Sequence, residues 1–363
     1  MKRISLYSDI LSTKGFNRSL LFDTTRSEYY FISNDVLDIF KENKFKNIDS
    51  KSIDSEFYKV LVDNDLVYET DERTDNCFIP INLEWDFSFK ITNCIIELSN
   101  ENIDSLIKNL NFNFVAHFHI LFSHEIEIST IDKLFYFLEN QICDCVEFSF
   151  TIKLDPIILK HLKNKVSNLS KIIKFLNYAG LDFDEEYEIA YRYGIILDSW
   201  SLKLSKSADH FFESQSHHTY FNRKLFLSKT GELKNAFESD ESFVNLHEIN
   251  SIEEIVDIIN LSNFQKYWFI EKNKTDVCKD CEFKNICVDN RLPIHRDDNQ
   301  WYHLKECIYN PYIAKWKDEE GYQTLEECGV TSNETGFSID HEKIAEINAL
   351  LWDEEEVEAD ENH

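Results

Sequence analysis

Proline and glycine are scarce, with 4 and 7 in 363 residues, so no Pro/Gly-rich linker marks a boundary and domain limits must be read from shifts in pattern. No run approaches the roughly 18 apolar residues of a membrane-spanning helix, and none is expected. The start, Met1 to Leu6, lacks a long apolar core, so no secretory signal is read and the chain is assigned to the cytoplasm. Positive charge is short as well. With 38 Lys+Arg against 67 Asp+Glu, the formal net charge of -29 repels phosphate backbones, which argues against nucleic acid and favours basic partners. There is neither a Gly-rich phosphate loop nor an internal repeat.

What is abundant is buried-surface potential: hydrophobic residues reach 43%, with 29 Phe and 16 Tyr, enough for two or three packed domains. In residues 1–82, Ser19–Asp23 can face Glu28–Ile32 across a polar turn, Thr24–Ser27, giving a small antiparallel sheet. Asn34 and Ser52 are read as caps of two helices, the first carrying Val36, Leu37, Ile39 and Phe40, the second Ile53, Phe57, Val60 and Leu61. Leu66–Tyr68 returns as a strand. From residue 88 to 200 apolar runs alternate with polar-faced segments. Strands are expected at 91–98, 114–122, 145–152 and 172–178, with helices near 102–110, 127–141 and 156–166 as crossovers of a parallel sheet. Residues 219–235 read as strand, turn and strand, and Ser251 to Glu254 as a capping box. The run from Asp353 to Glu361 reads as a frayed acidic tail.

Nine cysteines, an odd number, suit a reducing compartment better than a disulfide framework. Four of them, Cys278-x2-Cys281-x5-Cys287-x19-Cys307, form a soft-thiolate set whose first pair sits on one tight loop; Zn and an iron–sulfur cluster both suit four thiolates, and spacing does not choose between them. Cys143 and Cys145 are read as core packing with both side chains on one face of a strand, and Cys94 as an interior strand residue.

The surrounding residues carry a resemblance. Thr275 to Arg291, then Trp301 to Cys307 and Asn310-Pro311-Tyr312, closely resemble the SPASM domain of peptide-modifying radical SAM proteins, in particular the SPASM maturase of grasp-with-spasm systems, over about residues 215–322. A two-cluster SPASM domain has further cysteines where this chain has Ala236 and Arg291, with His217 and His218 near a third such position. One auxiliary centre therefore resembles a kept four-thiolate site and the other is lost. The Cys-x3-Cys-x2-Cys triplet that cleaves S-adenosylmethionine in that family is absent, so no such cleavage is expected.

The resemblance implies an α/β protein in four parts. These are a winged-helix-like leader-binding module (1–82), a degenerate partial (β/α) barrel (83–210), a SPASM metal domain (211–330), and a C-terminal helix with an acidic tail (331–363). It also implies a precursor peptide and an ATP-grasp ligase as partners in the maturation of a ribosomally made peptide. The edge strand Glu28–Ile32, with Tyr29, Tyr30 and Phe31 lining a groove, is the candidate peptide contact. The alternative is an enzyme whose SPASM centre itself modifies the peptide, which would need an open coordination position.

Overall fold

The N-terminal hairpin is fixed by Asp23, whose carboxylate accepts from the backbone N–H groups of Thr25 and Arg26 at 2.9 and 2.8 Å and pairs with the Arg26 guanidinium at 2.7 Å. The computed structural model describes residues 2–70, 78–108, 112–143, 145–177, 203–296 and 299–352. After β1 (Arg3–Leu6), strands β2 (Ile10–Lys14), β3 (Ser19–Asp23) and β4 (Glu28–Ile32) pair antiparallel in the expected register, with Ser19 opposite Ile32 and Asp23 opposite Glu28. Helix α1 (Asn34–Glu42) follows. Its cap is Ser33, one residue earlier than expected, with the hydroxyl accepting from Val36 N–H. The helix α2 (Ser55–Asp63) is capped by Asp54 and not Ser52, because Ser50–Ser52 form a 3-10 turn after the two-residue strand β5 (Ile48–Asp49). Then β6 (Val67–Glu69) joins β5 and β1 in a second small sheet.

Strand β3 is buried along its whole length. One face of its sheet packs Leu21, Tyr30 and Ile32 with α1 and α2; the other packs Leu20, Phe22, Tyr29 and Phe31 with Phe283, Ile286 and Cys287. The N-terminal sheet is thus an interior layer over the cysteine segment.

Strands β7 (Ile91–Glu97), β8 (Val115–Phe122), β9 (Cys145–Phe150) and β10 (Ile172–Asn177) are parallel, joined by α3 (Ile103–Lys108), α4 (Ile128–Glu139) and α5 (Pro156–Val166), as the alternating pattern predicts. After β11 (Lys203–Leu204) and α6 (Ala208–Glu213), β12 (Lys224–Leu227) returns parallel beside β7, and β13 (Glu232–Lys234) and β14 (Val244–Asn245) add on antiparallel. The sheet order is β10-β9-β8-β7-β12-β13-β14. This corrects the partial-barrel expectation: among the described residues the sheet is open, because the hairpin extends one edge where a barrel would continue with parallel strands. The capping box is also corrected. Helix α7 (Ile252–Ile259) has Ser251 as its N-cap, as expected, but the Ser251 side chain makes no cap bond.

The cysteine segment carries β15 (Cys287–Val288), paired with β11, and the chain continues through a hairpin at 330–339 to α8 (His341–Trp352). Contacts divide the chain into two compact units, residues 1–85, 200–219 and 270–363, and residues 86–199 with 220–269. The expected limit at 82/83 lies near the first break; 210/211 falls inside the first unit. The acidic run from Asp353 and the last residue of the expected fourth strand, Tyr178, lie outside the described residues. Among those described, no helix is long and apolar enough to cross a membrane, and no disulfide forms.

Candidate metal centre

The loop that presents Cys278 is strained. Cys278 N–H donates to Asp276 O at 2.7 Å across Val277, which is held at φ 65° and ψ −49°, a γ-turn of the hand that L-residues avoid and that costs of order 1–3 kcal/mol. Neighbouring bonds over-determine it. The buried Asp276 carboxylate pairs with Arg296 at 2.8 Å and Lys279 at 3.2 Å, and Asp276 N–H donates to Trp301 O at 2.8 Å. Cys281 follows one turn later. Cys287 opens β15, and its carbonyl is a hub, accepting from Lys272 Nζ at 2.6 Å and Thr219 Oγ1 at 2.9 Å with His210 Nε2 at 3.3 Å.

Three of the four thiols share an apolar cluster, but among the described residues no three of the four sulfurs lie within 4.8 Å of one another. Cys281, Cys287 and Cys307 belong to the same apolar cluster around Phe283 and Ile286; the charge of Cys287 acts on Cys278 and Cys281, and that of Cys307 on Cys281 and Cys287. Burial pushes Cys278 up to about 12 and Cys287 to about 11, and raises Cys281 and Cys307 as well. Four neutral thiols packed against cations make poor use of such a site. A bound metal or cluster deprotonates coordinating thiols outright, and its thiolates are anionic.

The surroundings suit that anionic state. Lys272 is only 6% exposed. Burial works against its charge, yet Cys287, Asp289 and Cys278 hold it above the ordinary lysine value. Arg291 places Nη2 at 3.9 Å from Cys278 Sγ and 2.6 Å from Asp289 Oδ2. Although burial alone would raise the Asp289 carboxyl, Arg291 and His303 hold it well below the usual range. His303 is pushed down to about 4 by burial and by Arg291; its Nδ1 lies 3.3 Å from Leu292 O and its Nε2 3.7 Å from Asp289.

A further set of ligand atoms converges here: those of Cys278, Asp289 and His303 lie within 4.8 Å of one another. Asp289 is already committed to Arg291, so this trio reads as a polar bracket beside Cys278. The donor set, soft thiolates rimmed by Lys272 and Arg291, fits zinc or an iron–sulfur cluster equally in chemical type.

Of the remaining predicted residues, Tyr29 and Phe31 are half buried and their rings meet Phe283 edge-on at 5.8 and 5.6 Å, with the Arg18 guanidinium 3.5 Å over Phe31. Tyr30 faces the opposite core. Beside β2 an apolar cavity of about 290 Å³ is lined by Tyr7, Phe45, Tyr68 and Phe78 among others. Cys94 is buried in β7, where burial pushes its thiol up. Cys143 precedes β9 and packs on the helix-covered core, while Cys145 opens the strand, so the two do not share a face. His218 is buried and the His217 ring lies 5.2 Å from that of Trp85. Lys272, Asp289, His303, Thr219 and His210 were not anticipated; lone polar residues outside any spacing motif give no sequence signal.

No family model matches this chain, and no curated protein sequence matches it. Among solved structures, the crystal structure of Streptococcus suis SuiB aligns over 78% of this chain and 94% of that one, at 12% identity and a TM-score of 0.24, a likeness too small to carry fold or function.

Proposed function

We propose that this chain is a maturation protein for a ribosomally synthesised and modified peptide. It binds the precursor leader through a winged-helix-like N-terminal module and serves an ATP-grasp ligase that makes the bond. Its SPASM-type four-cysteine centre, iron–sulfur or zinc, acts as a brace. The observation that carries this reading is the junction at Phe283, which lies between Cys281 and Cys287 in sequence and packs on Tyr29 and Phe31 of β4. Ordering the cysteine loop orders an outer strand of the N-terminal sheet.

An outer strand offers unpaired backbone groups to an extended peptide, so the leader gains affinity from main-chain hydrogen bonds. With Tyr29 and Phe31 occupied by packing, selectivity falls to other pockets, and the cavity beside Tyr7 and Tyr68 has room for a large apolar side chain. A four-thiolate site has no open position, which favours a brace over Lewis-acid chemistry.

The test is metal and sulfide analysis of anaerobically purified protein, paired with a pull-down against a Lys-rich precursor at low and high salt. Metal retained by wild type, lost in Cys287→Ser and accompanied by loss of precursor binding supports the brace. A wild-type chain that holds metal and retains no precursor refutes the recruiter role.

A further inference from the structure

The N-terminal sheet β2-β3-β4 has two outer strands. On β4 the side chains are already packed: Tyr29 and Phe31 meet Phe283, and Tyr30 turns into the opposite core. Strand β2 instead adjoins the apolar cavity of about 290 Å³, which touches Ile10, Leu11 and Ser12 in succession. Successive side chains of a strand point to opposite faces, so a cavity that touches three in a row runs along the strand's edge and not over one face.

That edge is open. Gly15 N–H donates to Arg18 O at 3.0 Å and Thr24 N–H to Asp9 O at 3.1 Å, which fixes the alternation of the ladder. Leu11 and Thr13 bond to β3, while Ile10, Ser12 and Lys14 turn their backbone groups outward. Ile10 N–H is taken by Tyr7 O at 3.1 Å, and Lys14 O by Lys284 Nζ at 3.1 Å. Between them, the outward N–H and C=O of Ser12 meet no partner among the described residues. A donor and an acceptor side by side on a free edge are what an added strand bonds to.

The cavity wall selects the side chain. Tyr7, Tyr68 and Phe78 form an aromatic cluster with centroids 5.0, 5.3 and 4.5 Å apart, Phe78 standing edge-on to Tyr7. An apolar cavity of about 150 Å³ takes a benzene ring and small-molecule sites begin near roughly 300 Å³, so this one suits a single large ring better than a cofactor. Lys44 and Lys46 also line it and no described Asp or Glu does, in a chain with 67 acidic residues against 38 basic ones. The loop that carries both lysines is strained: Lys44, Phe45 and Asn47 sit at φ 53°, 62° and 57°, a region that non-glycine residues avoid and that gathers at ligand sites. Leu6 N–H to Phe45 O at 3.0 Å and Asn47 N–H to Ser5 Oγ at 2.8 Å hold it in place.

We propose that β2 receives an extended peptide as an added strand through Ser12, with an aromatic side chain seated among Tyr7, Tyr68 and Phe78 and a neighbouring carboxylate drawn to Lys44 and Lys46. This rests on the peptide-binding role proposed above and gives it a contact of stated chemistry, an acidic aromatic anchor. The sign of charge at this subsite is the reverse of that of the chain as a whole.

The experiment uses the full chain and, as probe, a short dye-labelled peptide of serine, threonine and valine with tryptophan–glutamate at its centre, followed by fluorescence anisotropy. Wild type is expected to bind it about ten-fold tighter than the same peptide with alanine for tryptophan. At low salt it binds about two- to five-fold tighter than the peptide with lysine for glutamate, the strength of an exposed ion pair. Ser12→Pro removes the outward N–H, leaves the β2–β3 ladder intact and weakens binding about ten-fold. Lys44→Glu reverses the preference between the two charged probes. Affinity indifferent to the tryptophan or to Ser12→Pro overturns the assignment, as does a wild type that binds none of the probes. Should Ser12→Pro disturb folding by circular dichroism, amide exchange of wild type decides: the probe slows exchange at Ser12, and slowing confined to Glu28–Ile32 overturns the proposal. The recruiter role fails or stands separately. Precursor retention unchanged by Ser12→Pro keeps that role and removes this subsite, whereas probe binding by a chain that retains no precursor keeps the subsite and removes the role.

Discussion

Replacing Phe283 by alanine isolates the junction on which the brace reading depends. The ring is 1% exposed and meets Tyr29, Phe31, Tyr309 and Trp316 with centroids 5.8, 5.6, 5.0 and 5.6 Å away. Removing a buried Phe with this many partners costs about 3–5 kcal/mol, transfer and cavity together. A single unfolding free energy is ill-defined for a two-unit chain, so the readout must be local. Amide hydrogen exchange of β4 provides it. A loss of about 3–5 kcal/mol corresponds to exchange roughly 150- to 5,000-fold faster in Glu28–Ile32 wherever those amides exchange by local opening. Phe137→Ala, equally buried but in the other unit, serves as control and leaves β4 protection unchanged. Unaltered β4 exchange in Phe283→Ala would refute the coupling, and an equal change in both variants would show that it is global.

Three other outcomes follow from the same contacts. Arg18 pairs with Glu282, whose side chain is fully buried, at 2.7 Å; Arg18→Met leaves that carboxylate uncompensated and costs about 3–5 kcal/mol, while adding Glu282→Leu recovers most of it, as paired thermal melts would show. Gly15 has no room for a methyl group: a Cβ there would stand 2.6 Å from Arg18 O and 2.8 Å from Glu282 N, both backbone, so Gly15→Ala destabilises by about 1–3 kcal/mol in urea titrations followed at β3. On the other unit, hydrogen bonds from Lys165 and His161 lower the Asp132 pKa. A depressed carboxylate stabilises fully above its unfolded value near 4 and loses that contribution as pH falls through the folded one. The groups are substantially exposed, so Asp132→Asn costs under about 1 kcal/mol at pH 7 and nothing measurable near pH 2, a difference read from melting curves at the two values.

Strand order and crossover helices in the parallel sheet were legible because apolar runs such as Ile91–Glu97 and Val115–Phe122 alternate with helix-length segments, and the hairpin register at 19–32 followed from the turn residues alone. Caps shifted by one or two residues because Ser33 and Asp54 compete with equally good neighbours for the same N–H groups. The thiol set was visible as spacing. Its cations were not, since Lys272 and Arg291 acquire meaning only when folding buries them beside sulfur. Tyr29 and Phe31 looked like groove residues because nothing local reveals that Phe283, some 250 positions later, will cover them.

The first unit is assembled from three stretches of chain, with Phe283 in the last. At about 5–20 residues per second of synthesis, the ribosome needs roughly 12–50 s to travel from β4 to that ring. During that interval the aromatic underside of a finished hairpin is bare, while residues 86–269 are being synthesised. A nascent-chain binder, such as a chaperone that recognises exposed aromatic strands, therefore has a natural window on this protein, and truncation before residue 283 should prolong the association.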